Sequence, residues 1–345
     1  METKLATLGW SGFFQQQLSL EEYQDYKPFR VLQQHRDQLT VAGEAGEQDI
    51  PVLHFMPALT VGDWILLDAN SGFIRLLERK SLFSRKAAGS KVAEQLIAAN
   101  IDTAFLVCSL NQDFNLSRIE RYLALIHESG AEPVVVLTKA DLVDDAEAMV
   151  AKVRALDSLL MVEAVNGMDE TSVEPLRVWC KPGSTIVFLG SSGVGKSTLA
   201  NTLMGSHALE TGGIREDDSK GRHTTTARSL HLLQEGGLLL DTPGMRELQL
   251  ADVELGLEKT FADIHQMSEH CRFSDCRHHS EPGCAVLAAI QAGELEERRL
   301  LNYRKLLKEQ EMNSASLAQK RSRDKALGKF YRSVLDESRQ RRKEH

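Results

Sequence analysis

Gly190-Ser191-Ser192-Gly193-Val194-Gly195-Lys196-Ser197 matches G-x-x-x-x-G-K-[ST] at every fixed position. Glycines at this spacing let backbone N–H groups turn inward around phosphate oxygens. A helix starting at the lysine adds positive potential at the same place. The motif assigns Lys196 to the β- and γ-phosphates and the Ser197 hydroxyl to Mg²⁺. An apolar run, Thr185 to Leu189, precedes the loop, and helical residues from Thr198 to Leu203 follow it. That is the strand-loop-helix context the motif requires.

Two further tetrapeptides choose the base. Asp241-Thr242-Pro243-Gly244 fits D-x-x-G, with Asp241 expected to hold Mg²⁺ through water and the Gly244 N–H to contact the γ-phosphate. Thr138-Lys139-Ala140-Asp141 resembles N-K-x-D. The Asp141 carboxylate can accept hydrogen bonds from guanine N1–H and the amino group, a donor pair that adenine lacks. A polar site left unpaired by the wrong base discriminates by about 10⁴–10⁵. The Lys139 stem is expected to pack over the base. A P-loop ATPase or small-molecule kinase is the competing reading, and Asp141 argues against it. The order is unusual, because the base motif precedes the phosphate loop, so the domain reads as circularly permuted. Permutation is feasible because domain termini usually lie close together.

Cys271-x₄-Cys276-x-His278-x₅-Cys284 supplies a closed Cys₃His set suited to one structural Zn²⁺. His265, His270 and His279 compete for the nitrogen position. A second competing reading is a zinc-stapled RNA-binding protein with a vestigial nucleotide site. The intact Lys196, Ser197 and Asp241 weigh against it.

These residues need a scaffold. The chain has 345 residues, 42% hydrophobic and 26% charged, which predicts a soluble protein of two or three domains. Residues 1–30 read as an N-terminal extension. Residues 31–86 read as short strands and turns, fitting an OB-type β-barrel or another small β domain. Residues 87–255 alternate strand and helix patterns, as in a mostly parallel α/β sheet. Residues 256–345 read as helical, interrupted by the Cys/His cluster and ending in a basic tail. The net charge of −8 excludes bulk, non-specific nucleic-acid binding. Local patches remain: Arg75, Arg79, Lys80, Arg85, Lys86 and Lys91 near the barrel exit, and ten Lys or Arg against four acids from Gln319 to His345. No apolar run reaches membrane-spanning length, and the start lacks a secretory pattern. A cytoplasmic monomer is expected.

Together the motifs resemble the ribosome small-subunit-dependent GTPase A (RsgA/YjeQ) family over roughly residues 35–310. The resemblance rests on Val61-Gly62-Asp63, Thr138 to Leu142, Gly190 to Thr198, Gly221-Arg222-His223-Thr224-Thr225-Thr226, Asp241 to Gly244, and the Cys/His cluster with Glu281-Pro282. It implies an OB barrel, a permuted GTPase domain and a zinc-binding helical domain. It also implies a late assembly factor that contacts the small ribosomal subunit and its rRNA and hydrolyses GTP to GDP when the subunit stimulates it. Three features depart from the pattern. Thr138 stands where many GTPases have Asn, and Glu163-Ala164 stands where a Ser-Ala pair backs the guanine. The Ala164 N–H remains suited to O6. The N-terminal extension is longer than a barrel requires, which suits a diverged paralogue.

Ras-type enzymes orient water with a glutamine just after the D-x-x-G glycine. Met245 occupies that position and cannot do so. His223, before three threonines of which one is expected to ligate Mg²⁺, is the candidate to orient water once a partner orders its loop. His223→Ala is predicted to keep GTP affinity and to lose stimulated hydrolysis. An unchanged stimulated rate would reject this role.

Overall fold

The structure, a computed structural model, describes residues 4–86, 94–111, 114–205, 228–241 and 253–313. Five antiparallel strands come first: β1 (Lys27–Gln34), β2 (Gln38–Gly43), β3 (Gly46–Pro51), β4 (Trp64–Leu67) and β5 (Phe73–Leu76). They lie in the order β3-β2-β1-β4-β5 and curl around Val31, Leu39, Val41, Ile50, Ile65 and Leu67. A separate hairpin pairs β6 (Leu82–Lys86) with β7 (Glu94–Ala99). β1 starts at Lys27, before the expected first barrel residue, and the separate hairpin runs on to Ala99. Pro28 and its neighbours pair with β4, Lys27 opposite Leu67.

The segment before β1 is ordered by the barrel. It holds a 3₁₀ turn (Leu5–Leu8) and helices α1 (Gly12–Gln15) and α2 (Leu20–Asp25). Phe14 is fully buried against Trp64, and Trp10 packs edge-on to Trp64 at 4.9 Å. Arg30 is buried beneath this segment, donating to the carbonyls of Leu8 and Asn100. Burial pulls its guanidinium down to about 10. Gly9, at φ +89°, sits where a Cβ would lie 2.6 Å from Arg30 Nη1 and 2.9 Å from the Gly183 carbonyl. The extension therefore fills the gap between the barrel and the turn that leads into the phosphate-loop strand.

The second layer is the parallel sheet. Its strands are β8 (Thr103–Ser109), β9 (Glu132–Thr138), β10 (Met161–Val165) and β11 (Thr185–Leu189), followed by β12 (Arg228–Leu232) and β13 (Leu238–Asp241). The order is β10-β9-β8-β11-β13-β12, parallel except for β12. All seven residues of β8 are buried, as expected for a strand covered on both faces. β12 continues the ladder into the barrel through β1, with Gln33 opposite Ser229.

Helices cover the sheet: α3 (Leu116–Ser129), α4 (Ala146–Arg154), α5 (Glu170–Val173) and α6 (Lys196–Met204). α3 starts at Asn115, whose side chain accepts from the Arg118 N–H, and stops at Gly130, φ +84°. The C-terminal part comprises α7 (Glu254–Thr260), α8 (Ala262–Ser268), α9 (Ala285–Ala292) and a last helix, α10, spanning residues 297–313. It packs on α3. A Cβ at Gly256 would fall 2.0 Å from the Ala124 carbonyl, so only glycine lets α7 approach this closely. Residues 314–345, with the basic tail, lie outside the described residues.

Candidate functional site

β8 leads to β9 and β10 on one side, and the chain then returns to place β11 on the other side of β8. The strand order reverses between β8 and β11. Ligands of open α/β sheets bind at such a reversal, outside the carboxyl ends of the strands. The phosphate-loop residues Gly190 to Lys196 leave the end of β11 there and enter α6. Gly190, Gly193 and Gly195 all take positive φ, at 134°, 75° and 96°. A Cβ on Gly190 would lie 2.1 Å from the Val107 carbonyl. Lys196 Nζ donates to the carbonyls of Gly190, at 2.9 Å, and Ser191.

The structure brings the base motif to the phosphate loop. Thr138, at the end of β9, is buried and donates its hydroxyl to the Val194 carbonyl at 2.5 Å. Lys139, at φ +61°, donates Nζ to the Gly193 carbonyl at 3.1 Å. Ala140 and Asp141 follow in a short 3₁₀ turn, with Asp141 exposed. In the β9–β10 ladder Ala164 stands opposite Leu137 and Glu163 opposite Val136. The Glu163-Ala164 pair thus lies alongside the base motif. Threonine in place of asparagine still braces the two motifs, with a hydroxyl instead of an amide.

Ser192 is exposed at the loop's tip, while Ser197 and Thr198 are half-buried at the start of α6. Asp241 ends β13, next to β11 in the sheet. The Asp241 side chain, Gly244, Met245, His223 and Thr224 to Thr226 lie outside the described residues.

One contact was not foreseen. Arg118 on α3 donates from Nη1 to the Ser191 hydroxyl at 3.2 Å. Tyr122 lies half-buried one turn on, and burial pushes its phenol above the ordinary value. The far flank of α3 is gripped by the C-terminal helices. Glu120, with no exposure, accepts from Arg298, Arg299 and Asn302. Arg299 also bonds Asp263 at 2.7 Å and lies over the Phe261 ring. Burial opposes the Arg299 charge, yet Asp263 and Glu120 hold its pKa above the usual value. The available signal was an acid at position 120, next to Ile119 and four residues before Ala124, on the apolar side of α3.

At the other end of the C-terminal part, the Sγ atoms of Cys271, Cys276 and Cys284 and a ring nitrogen of His278 lie within 4.8 Å of one another. Cys271 to Cys284 is 3.9 Å, and His278 Nδ1 is 3.6 and 3.4 Å from those two sulfurs. A tetrahedron with Zn–S near 2.3 Å and Zn–N near 2.05 Å has edges of about 3.8 and about 3.6 Å. The donor set and its spacing therefore fit a zinc ion. The Glu281 carboxylate ties the loop by accepting from the N–H groups of Arg277, His279 and Ser280. His278 is the histidine brought to the three sulfurs; His265 instead lies beside the Tyr303 hydroxyl, at 3.5 Å.

The expected basic run at the barrel exit is partly consumed within the protein. Arg75 bonds Glu22 at 2.6 Å, Arg79 bonds the fully buried Asp63 at 2.6 Å, and Lys80 lies 3.6 Å from Asp102. Position along the sequence had suggested an open patch, but long-range acids pair these cations.

The family model for RsgA GTPase matches residues 76–251. A protein of Vibrio parahaemolyticus named small ribosomal subunit biogenesis GTPase RsgA 2 is 57% identical over 341 residues, covering 99% of this chain and 95% of its own. The chain belongs to the RsgA GTPase family. The Mesorhizobium japonicum protein named small ribosomal subunit biogenesis GTPase RsgA is 47% identical, covering 90% of this chain and 91% of its own. The crystal structure of YjeQ from Thermotoga maritima matches with a TM-score of 0.60 at 27% identity, covering 81% of this chain and 97% of its own. YloQ, described as a circularly permuted GTPase, matches with a TM-score of 0.60 at 23% identity, covering 85% of this chain and 97% of its own, and shows the same fold. Membership makes the chain a GTP hydrolase, and the permuted order inferred from its motifs is the family's fold.

Thr138→Val keeps the side chain's shape and removes the donor to Val194. A buried carbonyl left without its partner costs about 1–3 kcal/mol. The predicted outcome is roughly tenfold weaker GTP and GDP binding in a fluorescent-nucleotide titration. Affinity within twofold of the parent chain would show that the bond does not hold the site.

Proposed function

We propose that this chain binds GTP between the phosphate loop and the Thr138–Asp141 motif, and hydrolyses it in the service of late small-ribosomal-subunit assembly. The subunit is the activator. The observation that carries the reading is the bracing of the base motif onto the phosphate loop, Thr138 to Val194 and Lys139 to Gly193. It holds the segment that leads to Asp141 beside the loop for the phosphates. Two proteins named for small-subunit biogenesis, aligned over nine-tenths or more of this chain, support the subunit as partner.

The roles follow from chemistry. Asp141 accepts from the guanine edge, and the Ala164 N–H donates to O6. Gly190 to Gly195 offer backbone N–H groups to the phosphates, Lys196 neutralises the β- and γ-oxygens, and Thr198 extends the loop's contacts at the helix start. Mg²⁺, held by Ser197 and through water by Asp241, would supply charge neutralisation on the transferring phosphoryl group. Gly244 contacts the γ-phosphate, and His223 orients the attacking water. Zn²⁺ held by Cys271, Cys276, His278 and Cys284 would supply folding free energy to a loop too short for a core of its own. The protein acts as a monomer in the cytoplasm and touches rRNA. No helix among the described residues is long and apolar enough to cross a membrane.

The deciding measurement is GTP hydrolysis with and without purified small subunits. Stimulation of at least an order of magnitude is expected, with ATP failing to compete; no stimulation, or equal competition by ATP, overturns the reading. Zinc is checked separately. About one zinc per chain is expected by elemental analysis, and Cys276→Ser or chelation is expected to loosen residues 271–292 in hydrogen exchange. A chain that purifies without zinc and is indifferent to chelator excludes the metal.

A further inference from the structure

The phosphate loop is held from three directions. Two are the base-motif contacts at Gly193 and Val194. The third comes from α3, where Arg118 reaches Ser191, the second residue of the loop. We propose that Arg118 is a positioning residue for the phosphate loop, delivered to it by a helix that the C-terminal helices lock in place. The proposal rests on the nucleotide reading given above.

Three observations support it. First, the Arg118 guanidinium donates to the Ser191 hydroxyl at 3.2 Å, while the Ser191 carbonyl accepts from Lys196. One residue therefore links Arg118 to the lysine that faces the phosphates. Second, Tyr122 follows Arg118 by one turn on α3 and is half-buried. Positions i and i+4 share a helix face, so this face of α3 is directed at the loop. Third, α3 has little freedom to withdraw. Glu120 is clamped by Arg298, Arg299 and Asn302, and Arg121 is bonded to Glu309 at 2.6 and 2.8 Å. Glu128 accepts from the Gly256 N–H at 2.8 Å. Residues 118 and 122 thus face the nucleotide loop, while 120, 121 and 128 of the same helix grip α7 and α10.

The chemistry suits an anion site. A guanidinium carries its charge at every working pH and directs its N–H groups rigidly. Behind a loop that must receive a triphosphate, it orients Ser191 and adds positive potential without using a nucleotide-facing position. An interaction present in the ground state and the transition state alike changes binding rather than turnover.

The test is a cycle of Arg118→Met, Ser191→Ala and the double variant, with Arg118→Lys as the conservative control. Fluorescent GDP and GTP titrations, GTP hydrolysis and thermal melts are read on the full chain. The expected results are about tenfold weaker nucleotide binding for Arg118→Met, a double variant no weaker than the worse single one, and substantial recovery with lysine. KM should rise about tenfold while kcat changes by less than threefold. Binding equal to the parent's in Arg118→Met, or strictly additive losses in the double variant, overturns the proposal. So does a lowered melting temperature with unchanged affinity, which is the signature of a purely structural strut. If the parent chain itself fails to bind guanine nucleotides, the failure lies with the functional reading and not with Arg118.

Discussion

A buried hydroxyl, beside the Lys139 ammonium, joins two motifs that the chain keeps apart. Thr138 ends one strand and Val194 sits in a loop fifty-six residues later, yet the donor and acceptor are 2.5 Å apart in a buried site. Such a bond is strong where water is excluded, and breaking it strands a carbonyl. The geometry is possible because β9 and β11 both flank β8 in parallel, so their carboxyl ends open on the same edge. The order of the motifs along the chain is irrelevant to this edge. Permutation changes which segments are continuous while leaving the strand neighbours and the crevice unchanged.

What permutation does change is the burden on the flanking parts. β12 stands between β13 and β1, so the ladder runs from the nucleotide sheet into the barrel. The junction is then stiffened by buried polar groups. Asn100, at φ +57°, donates to the Gly62 carbonyl and accepts from the Lys80 N–H, while Arg30 bonds the Asn100 carbonyl. Burial raises the Asp63 carboxyl even though Arg79 opposes it. A buried ion pair gains little over a well-packed apolar pair, but removal of one partner is costly. Such groups therefore fix one relative orientation of barrel and sheet more than they add stability.

The sequence exposed the residues whose identity chemistry dictates. A phosphate loop needs glycine at 190 and 195, and the structure gives both of them, and Gly193, positive φ. The continuous apolar run Thr185 to Leu189 marked β11, because a strand covered on both faces has no polar alternation to hide it. Charged residues in the interior stayed hidden. Glu120 reads as one more acid in a helix, and its partner Arg299 lies 179 positions away. Arg30 and Asp63 look like surface charges until folding gathers Leu8, Asn100 and Arg79 around them. β7 and β12 escaped for a related reason. They are short, carry polar residues, and are strands chiefly because a neighbour supplies the ladder.

The N-terminal segment shows why such partners matter for the site. Residues 4–18 have no period of their own, since their apolar groups answer to Trp64, Leu66 and Leu77 of the barrel and not to each other along a helix. Once docked, the segment presses on the turn before β11, where a Cβ at Gly183 would lie 2.5 Å from the Ala6 carbonyl. β11 ends at the phosphate loop. The loop is therefore approached by barrel and extension at the root of its strand, by β9 at its tip and by α3 at its flank. Each support is anchored in a different part of the chain. A loop built from three glycines has little stiffness of its own, and these converging contacts supply the order that nucleotide binding would otherwise have to impose.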